Sequence, residues 1–347
     1  MAIASSPASV TIREVADLAK VSPKTVSRVI NNEPRVRSNT RARILEAIEQ
    51  LNYRPNLNAR GLASNRSFLI GLFCEKPGDY LSEFQVGATQ RCRESNMHLM
   101  VETWDLEIPA IAKQIDMLLG QLRLEGVILL PPLSDQPIVL NKFHDASLPI
   151  VRIAPRTLLN TTPSIGIDDY TAARQVTAHL LRLGHKRIGF MLGSPEHGAT
   201  EQRYLGFVDE MRAHQTPVDP NLVQTGNFSF GDGLISAERM LRGATRPSAI
   251  FASNDDMAAA VVSMARKFGL ELPGQLSVAG FDDAPVATMI WPELTTVRQP
   301  VAAMARIAAD LIIRMEPRRN GWPAHMPRHV LNHELVIRNS TARPAPR

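Results

Sequence analysis

The chain has 347 residues, of which 44% are hydrophobic and 21% are charged, an ordinary globular composition at a length that favours two or more domains. No apolar run approaches the roughly 18 residues of a membrane-spanning helix, and the stretch MAIASSPASV has neither the basic lead nor the apolar core of a signal peptide. We therefore expect a cytoplasmic protein without a membrane partner, in which residues 1–10 form a disordered leader.

The charge of the chain is unevenly distributed. Residues 1–66 carry a net charge of +6, whereas the remaining 281 residues carry −1. A basic segment on a neutral body is typical of a module that binds a polyanion, with a solvated basic surface as the alternative. The only cysteines, Cys74 and Cys92, lack metal-ligand spacing, so we expect no metal site, no disulfide framework and no cofactor.

Three short helices are predicted in the basic segment. Thr11 and Glu14 have the spacing of a capping box, and the apolar residues that follow recur on one helical face. Ser22 then supplies an N-cap and Pro23 a first helical residue for a second helix, and Ser38 caps a third. The apolar stripes of the three helices together predict one small core.

The second predicted helix carries a polar face opposite its apolar one. Lys24, Ser27 and Arg28 lie together on this polar face. Two short helices joined by a tight turn, with cations on the outer face of the second, suit insertion into the major groove of DNA. A generic three-helix bundle with a solvated basic face is the alternative.

The stretch TIREVADLAKVSPKTVSRVINNEPRVRSNTRARILEAIEQLNYRPNLNARGLAS closely resembles the DNA-binding head and hinge of the lac-repressor (LacI/GalR) family of bacterial transcription regulators. The match runs almost without gaps over residues 11–64. It implies an all-α helix-turn-helix DNA-binding domain over residues 11–54, a hinge helix and linker over residues 55–67, and double-stranded operator DNA as the partner.

The resemblance also implies which residues of the head contact DNA. Pro23, Lys24 and Arg28 correspond to residues that touch base edges in the family, and the two cations can donate to N7 and O6 of guanine. Hydroxyl groups near helix N-termini are expected to bind phosphates and to set the register on DNA. These residues are Thr25, Ser27, Ser38 and Thr40.

The predicted hinge begins where Pro55 ends the preceding helix. By resemblance it folds on DNA and enters the minor groove, where Asn56 and Leu62 are its contacts and Leu62 is wedged between base pairs. A place in the core domain is the alternative for Leu62. Gly61 costs about 1 kcal/mol of helix stability relative to alanine, so we expect a marginal hinge helix without DNA.

From residue 68 onward, apolar runs of strand length alternate with amphipathic helical windows. The runs are FLIGLF, HLMVE, GVILL, LPIVRI, RIGFML, SAIFAS and LSVAGF. This alternation predicts a parallel, doubly wound α/β sheet. The segment RTLLNTTPSIGIDDY looks like a crossing between two similar lobes.

The resemblance extends over nearly all of residues 68–339 and implies a periplasmic-binding-protein-like core of two doubly wound parallel-sheet lobes. In this interpretation residues 68–340 bind an effector and mediate dimerisation, and the chain crosses again near residues 297–299 and near residue 328. The predicted lobes are lobe 1, about 68–166 and 299–327, and lobe 2, about 167–298 and 328–340.

Polar side chains are predicted at the carboxyl ends of several core strands. Asn254 follows SAIFAS, Asp282 follows LSVAGF, and Arg203 lies on the first turn of the helix after RIGFML. Ligands of open α/β sheets bind at these strand ends, and paired donors and acceptors suit a polyol or a sugar. By resemblance these three residues match the effector-binding residues of the family.

For each of the following predicted effector contacts, the sequence also allows a purely structural role. Phe228 matches an aromatic platform that could stack on a sugar ring, or it belongs to the core. Asn254 and Asp255 are either polar groups of the pocket or N-caps of the helix that follows. Arg203, if it is not a ligand contact, is a structural ion-pair partner.

On the first lobe, the loop CEKPGDYLSEF follows the first predicted strand. Its aromatic residues, Tyr80 and Phe84, are the predicted wall of the pocket on this side. The expected effector is a sugar or a sugar phosphate.

No catalytic pattern occurs in the sequence: GxSxG, HExxH, CxxC and a phosphate-cradling glycine loop are all absent. Asp282 and Asp283 are neighbours at a strand end, where side chains point to opposite sides. We expect a protein that is not an enzyme but a nucleoid-associated homodimeric repressor of carbohydrate-utilisation genes. A periplasmic-type sugar-binding protein without a transcriptional role is the alternative, which the basic head disfavours.

Overall fold

The computed structural model divides the chain into two units, residues 1–67 and residues 68–347. We call the first unit the head and the second unit the core. Most of the predicted leader and hinge, including Asn56 and Leu62, lies outside the described residues. The structure describes residues 10–30, 34–53, 66–104, 108–243, 245–315 and 326–345.

The head contains three helices, α1 (Ile12–Leu18), α2 (Pro23–Ile30) and α3 (Ser38–Gln50). The backbone N–H of Thr11 donates to Oε2 of Glu14 at 2.7 Å, so the predicted capping box opens α1. The apolar stripes of the three helices meet in one buried cluster, as predicted. Its members include Val15, Ala16, Val26, Val29, Ile44 and Ala47.

The start of α3 differs from the prediction by one residue. Ser38 is the first helical residue, and Arg37 occupies the N-cap position without a side-chain cap bond. At the start of α2, by contrast, Oγ of Ser22 accepts the backbone N–H of Thr25 at 3.3 Å. The expectation that Ser38 caps α3 is therefore wrong, by an amount that is usual for helix ends.

The first lobe of the core contains a six-stranded, fully parallel sheet in the order β11-β5-β4-β3-β1-β2. Its strands are β1 (Leu69–Cys74), β2 (His98–Thr103), β3 (Gly126–Leu129), β4 (Ile150–Ile153), β5 (Ser164–Ile167) and β11 (Arg328–Leu331). Its helices are α4 (Asp79–Glu94), α5 (Ile108–Gln121), α6 (Pro137–Asp145) and α12 (Val301–Arg314).

The second lobe contains a four-stranded parallel sheet in the order β7-β6-β8-β9. Its strands are β6 (Ile188–Leu192), β7 (Val223–Thr225), β8 (Ala249–Ala252) and β9 (Ser277–Ala279). Its helices are α7 (Asp169–Arg182), α8 (Gly198–Ala213), α9 (Phe230–Arg242), α10 (Asp255–Lys267) and α11 (Val286–Met289). Both sheets are parallel and connected through helices, which confirms the predicted doubly wound α/β core.

Three segments pass between the lobes. One joins β5 to α7, one joins β10 (Thr296–Arg298) to α12, and one joins β11 to β12 (Glu334–Val336). Strands β10 and β12 pair antiparallel to each other. These crossings place the carboxyl ends of the two parallel sheets beside one cleft.

The predicted boundary of lobe 2 at residue 328 is wrong. Residues 328–331 form β11, which pairs with β5 in the register Arg328 to Ser164 and so belongs to the sheet of the first lobe. The chain enters the second lobe only after Leu331. The backbone groups of β11 pair with the side of β5 that faces away from β4.

Within the described residues, no helix is long and apolar enough to cross a membrane. In the same part of the chain, no three histidine, cysteine or acidic side chains come together as metal ligands would. Cys74 and Cys92 are both buried free thiols. Burial raises the pKa of each thiol to about 11.

Candidate functional site

The outer face of α2 carries the residues that were predicted to read DNA bases. Pro23, Lys24 and Arg28 are all exposed, whereas Val26 and Val29 on the opposite face are buried. The helix therefore presents its cations to solvent and its valines to the head core. This is the arrangement that a recognition helix needs in order to enter a major groove.

Of the residues that were predicted to bind phosphates, Thr25, Ser38 and Thr40 lie in the first turns of α2 and α3, whereas Ser27 lies in the second turn of α2. Ser38 is exposed, and Thr25, Ser27 and Thr40 are half-buried. The hydroxyl of Thr25 lies 2.9 Å from that of Ser22, so the two form a local hydrogen bond at the start of α2. Both helix starts thus expose hydroxyl groups beside backbone N–H groups, a combination that suits phosphate oxygens.

In the core, Arg203 lies at the centre of a cluster of polar and aromatic groups. Its side chain is 4% exposed. Its Nε donates to Oδ1 of Asp169 at 2.8 Å, and its NH1 donates to the backbone oxygen of Ser253. The guanidinium carbon lies 3.5 Å from the ring centroid of Phe281 and 5.9 Å from that of Phe228. The guanidinium is therefore held in one place by α7, by the end of β8 and by the ring of Phe281.

The sequence left open whether Arg203 contacts a ligand or is a structural ion-pair partner, and its bond to Asp169 gives part of the answer. Arg203 is a structural ion-pair partner, and in addition its NH1 lies 3.9 Å from Oδ1 of Asp282. Asp169 itself was missed by the sequence analysis. Its place directly after β5, in the first crossing, was the available signal, because crossing segments of this fold pass beside the cleft.

Asp282 follows β9 and adopts a φ of 111°, which lies outside the usual range for a residue with a side chain. Its Oδ1 accepts a hydrogen bond from Nε2 of Gln299 at 2.7 Å. Burial raises the pKa of Asp282 to about 7, against the opposing effects of Arg203 and Gln299. At neutral pH this carboxyl group can therefore exist in both protonation states, so it can donate a hydrogen bond as well as accept one.

Asp283 points to different partners, as expected for a neighbour at a strand end. Its Oδ2 accepts from Nε of Arg298 at 2.7 Å, and its Oδ1 accepts from NH2 of Arg338 at 2.5 Å. These arginines belong to β10 and to the segment after β12. Asp283 therefore anchors the crossing segments, and Asp282 and Asp283 do not form a paired acid.

Asn254 caps α10, which is the alternative that the sequence left open. Its Oδ1 accepts the backbone N–H of Met257 at 3.0 Å, and its Nδ2 donates to the backbone oxygen of Phe228 at 3.2 Å. Asp255 does not cap the helix, because it accepts bonds from Thr296 and Ala284 instead. Asn254 thus ties the start of α10 to the loop that carries Phe228.

Phe228 is half-buried and has a φ of 56°. Its ring lies directly over Gly193, since a Cβ at that glycine would stand 2.0 Å from the ring carbon Cζ. The ring of His197 lies 5.1 Å from it, at an angle of 54°. The ring of Phe228 therefore lies beside Arg203, and the absence of a side chain at Gly193 makes room for it.

His197 is a second residue that the sequence analysis missed. Burial, assisted by Arg203 and Lys76, lowers the pKa of His197 to about 4. The imidazole is therefore neutral at physiological pH, with one donor and one acceptor nitrogen. Its position immediately before α8, the helix that carries Arg203, was the only signal in the sequence.

On the first lobe, the two predicted wall residues differ in their surroundings. Tyr80 is half-buried, and burial together with the nearby Asp282 and Asp169 raises its pKa. Phe84 is fully buried in the core of the first lobe, with its ring centroid 6.5 Å from that of Tyr80. The prediction that Phe84 lines the pocket is therefore wrong, because Phe84, one turn further along the same helical face as Tyr80, packs into the core of the first lobe.

A cavity of about 290 Å³ lies between the start of α4 and the segment that follows β9. It connects the side chain of Tyr80 on the first lobe with that of Asp282 on the second. Three acidic side chains contribute to it and no cationic one does. Its lining residues are Asp79, Tyr80, Ser82, Glu83, Val86, Asp282, Ala284, Pro285 and Val301.

Comparisons with known proteins agree with this arrangement. The family "Bacterial regulatory proteins, lacI family" matches residues 11–56, and "Periplasmic binding protein-like domain" matches residues 177–341. Catabolite control protein A of Priestia megaterium is 30% identical over 307 residues, which cover 88% of this chain and 92% of that protein.

Solved structures extend the similarity to the whole chain. The lac repressor dimer bound to operator and the anti-inducer ONPF has a TM-score of 0.78 and 26% identity, and the alignment covers 96% of this chain and 100% of that one. A complex of the transcriptional regulator CelR with cellobiose has a TM-score of 0.72 and 26% identity, with coverage of 95% and 99%. The head match argues against a sugar-binding protein without a transcriptional role. The chain belongs to the lacI family of bacterial transcriptional regulators and is a DNA-binding protein with a helix-turn-helix head and a periplasmic-binding-protein-like core.

Proposed function

We propose that this protein is a homodimeric repressor of carbohydrate-utilisation genes in the bacterial cytoplasm. Its affinity for a near-palindromic operator is controlled by a sugar or sugar phosphate in the cleft of the core. The observation that carries the proposal is the convergence of Arg203, Asp282 and Phe228 at the carboxyl ends of the second-lobe strands, in a chain that also has a DNA-reading head.

In the head, Pro23, Lys24 and Arg28 contact base edges. Their exposure on one face of α2, opposite the buried valines, supports this assignment. Lysine and arginine have only donors, so they select bases with acceptors in the major groove, of which guanine has two. The phosphate contacts come from the hydroxyl groups of four residues on α2 and α3, namely Thr25, Ser27, Ser38 and Thr40.

The hinge completes the DNA contacts. Asn56 and Leu62 enter the minor groove, with Leu62 between two base pairs at the centre of the operator. The support for these two residues is their match to the family pattern, since both lie outside the described residues. A wedge of this kind gives specificity through the cost of bending DNA, which depends on sequence.

In the core, the effector lies between the two lobes. Phe228 stacks on the apolar face of a sugar ring, and Arg203 and Asp282 bond its hydroxyl groups. A carboxyl group with a pKa of about 7 suits a hydroxyl partner, because a hydroxyl can donate to the ionised form and accept from the protonated one. Two relatives of known structure point the same way, since one is named for its complex with cellobiose and another for its complex with the anti-inducer ONPF.

Asn254 and Tyr80 have supporting places in this proposal. The Nδ2 of Asn254 donates to the backbone oxygen of Phe228 and thereby fixes the position of the Phe228 ring that stacks on the sugar. Tyr80 is the first-lobe residue that the cavity joins to Asp282, so its hydroxyl reaches the ligand from the other side.

The proposal is tested in two stages with the full-length protein. Selection from random double-stranded DNA should enrich a near-palindromic site, and gel shifts at 50 and 200 mM salt should show that this site survives at the higher salt while random DNA is lost. A panel of monosaccharides, disaccharides and their phosphates is then added to the complex. Retention of all DNA sequences to the same extent, or a complex that no member of the panel alters, would contradict the proposal.

A further inference from the structure

Arg152, the third residue of β4, is a buried cation that none of the effector contacts uses. Its side chain is 1% exposed. NH2 donates to Oδ1 of Asp135 at 2.6 Å, NH1 donates to the backbone oxygen of Thr157 at 2.8 Å, and Nε donates to the backbone oxygen of Ser134. A buried charge is costly unless it is fully paired, so an arginine at this place needs a reason.

Its partner, Asp135, uses its remaining lone pairs on the loop that follows β4. Oδ2 accepts the backbone N–H of Arg156 at 2.8 Å, and Oδ1 accepts that of Thr157 at 3.2 Å. The buried pair therefore fixes the backbone of Arg156. Removal of the charge on Asp135 would weaken two backbone bonds at once.

The fixed residue, Arg156, contacts the other lobe. Its NH2 donates to the backbone oxygen of Pro195, and its backbone rests on Gly198, where an added Cβ would lie 2.5 Å from the Cα of Arg156. Beside this contact, Nε2 of Gln136 donates to Oε2 of Glu196 at 3.4 Å. Two first-lobe loops thus meet the single second-lobe segment that leads into α8.

This segment is also the one that supports the effector cluster. Gly198 is the first residue of α8, and the same helix carries Arg203 one turn later. The preceding residue, His197, packs on Phe228. The position of the segment relative to the first lobe therefore decides how far the cleft is closed over these residues.

We infer that Arg152 and Asp135 are positioning residues that hold Arg156 as a latch between the two lobes. The latch is the contact of Arg156 with Pro195 and Gly198. With the latch engaged the lobes stay closed, and without it they separate. The inference rests on the geometry of the core and does not depend on which effector is bound.

The test is the distance between the lobes in the full-length protein, measured by electron–electron double resonance without DNA and without effector. Spin labels are placed at Lys113→Cys on α5 and Arg239→Cys on α9, both of which are exposed. Cys74 and Cys92 are buried and do not compete for the label. Protein with only these labels defines the closed distance.

Gly198→Ala is the sharpest variant, because it adds one methyl group at the latch and leaves every bond of the buried pair in place. Its matched control is Gly231→Ala, also in the first turn of a second-lobe helix, where an added Cβ meets nothing within 4 Å. We expect Gly198→Ala to shift the distribution to longer distances, and Gly231→Ala to leave it unchanged.

Arg156→Ala removes the side-chain half of the latch and should reduce the closed fraction relative to the open one by about tenfold. Asp135→Asn should give an intermediate shift, since one acceptor oxygen remains. The melting temperature is recorded for each variant, because a purely structural role would lower it without changing the distance.

Two results would overturn the inference. If Gly198→Ala and Arg156→Ala keep the distances of the parent, no latch exists. If Asp135→Asn alone keeps the parent distances, Arg156 acts without the buried pair, and the inference that Arg152 and Asp135 position Arg156 is wrong. Neither result bears on DNA or sugar binding, so the proposed function stands or falls separately.

Discussion

The second lobe holds its candidate ligand groups at strand ends by bonds to buried atoms, whereas the first lobe offers one tyrosine on the first turn of a helix. Arg203 is tied to Asp169 and to the backbone of Ser253, and Asp282 is tied to Gln299. Tyr80 packs against the first-lobe core, with its ring stacked at 6.5 Å from that of Phe84. We therefore expect the second lobe to recognise the proposed effector and the first lobe to close over it.

The largest effect is expected from Arg203→Ala in the second lobe. Loss of charge-assisted hydrogen bonds, each worth about 1.5–3 kcal/mol, should weaken effector binding by one to two orders of magnitude. Titration calorimetry with the sugar that alters the operator complex measures this. Arg174→Ala is the matched control, because Arg174 also forms an ion pair in this lobe, with Glu210, but its side chain is exposed.

The same variant fixes the direction of control. The head is unchanged, so operator binding without effector should survive, while the response to effector disappears. In an induced repressor Arg203→Ala would repress permanently in the cell, and in a corepressed one it would not repress. Parent-like effector affinity would show that Arg203 is a structural residue only.

A second test of the second lobe uses the pKa of Asp282. The folded pKa of about 7 lies above the ordinary value of 3.8, so the folded state binds more protons than the unfolded state between these pH values. The free energy of unfolding should therefore fall as pH rises from about 4 to 7. The contribution of Asp282 to this fall is on the order of 4 kcal/mol.

Asp282→Asn isolates this contribution from that of other groups. Its melting temperature should decline less than that of the parent between pH 5 and pH 8, because the amide does not titrate. Parallel pH profiles for the parent and Asp282→Asn would mean that Asp282 titrates normally.

Gly193→Ala should have a smaller effect, confined to the aromatic platform. The added methyl group occupies the place of the Phe228 ring, so the ring must move and effector affinity should fall by about tenfold. Gly243→Ala in the same lobe meets nothing within 4 Å and should bind like the parent. If both variants bind equally well, Phe228 is a core residue and not a platform.

The smallest effect is expected from Tyr80→Phe in the first lobe. Only one neutral hydrogen bond is lost, worth about 0.5–1.5 kcal/mol, so effector affinity should fall by less than about tenfold. Phe84→Leu, one turn further along the buried side of α4, should lower the melting temperature with little change in affinity. A larger loss for Tyr80→Phe than for Arg203→Ala would reverse the division between the two lobes.

Much of the architecture was predictable because it depends on local patterns. Apolar runs of strand length gave seven of the core strands, and the capping box and serine cap gave the starts of α1 and α2. Strands β5, β7 and β10 to β12 were not among the predicted runs. Their pairing is decided by partners far away in the chain, as β11 shows with β5.

For the site, sequence position alone was enough to find groups at the ends of strands, because parallel strands end at a common edge. It placed Arg203, Asp282 and Phe228 in one neighbourhood. Which atoms make contact was decided by tertiary structure. The side-chain oxygen of Asn254 caps a helix, and Phe84 packs into the core of the first lobe. Asp169 and His197 contact the site from other elements of the chain. Helical periodicity and strand order specify where a side chain starts, but its burial and its partners depend on packing between segments that are distant in sequence.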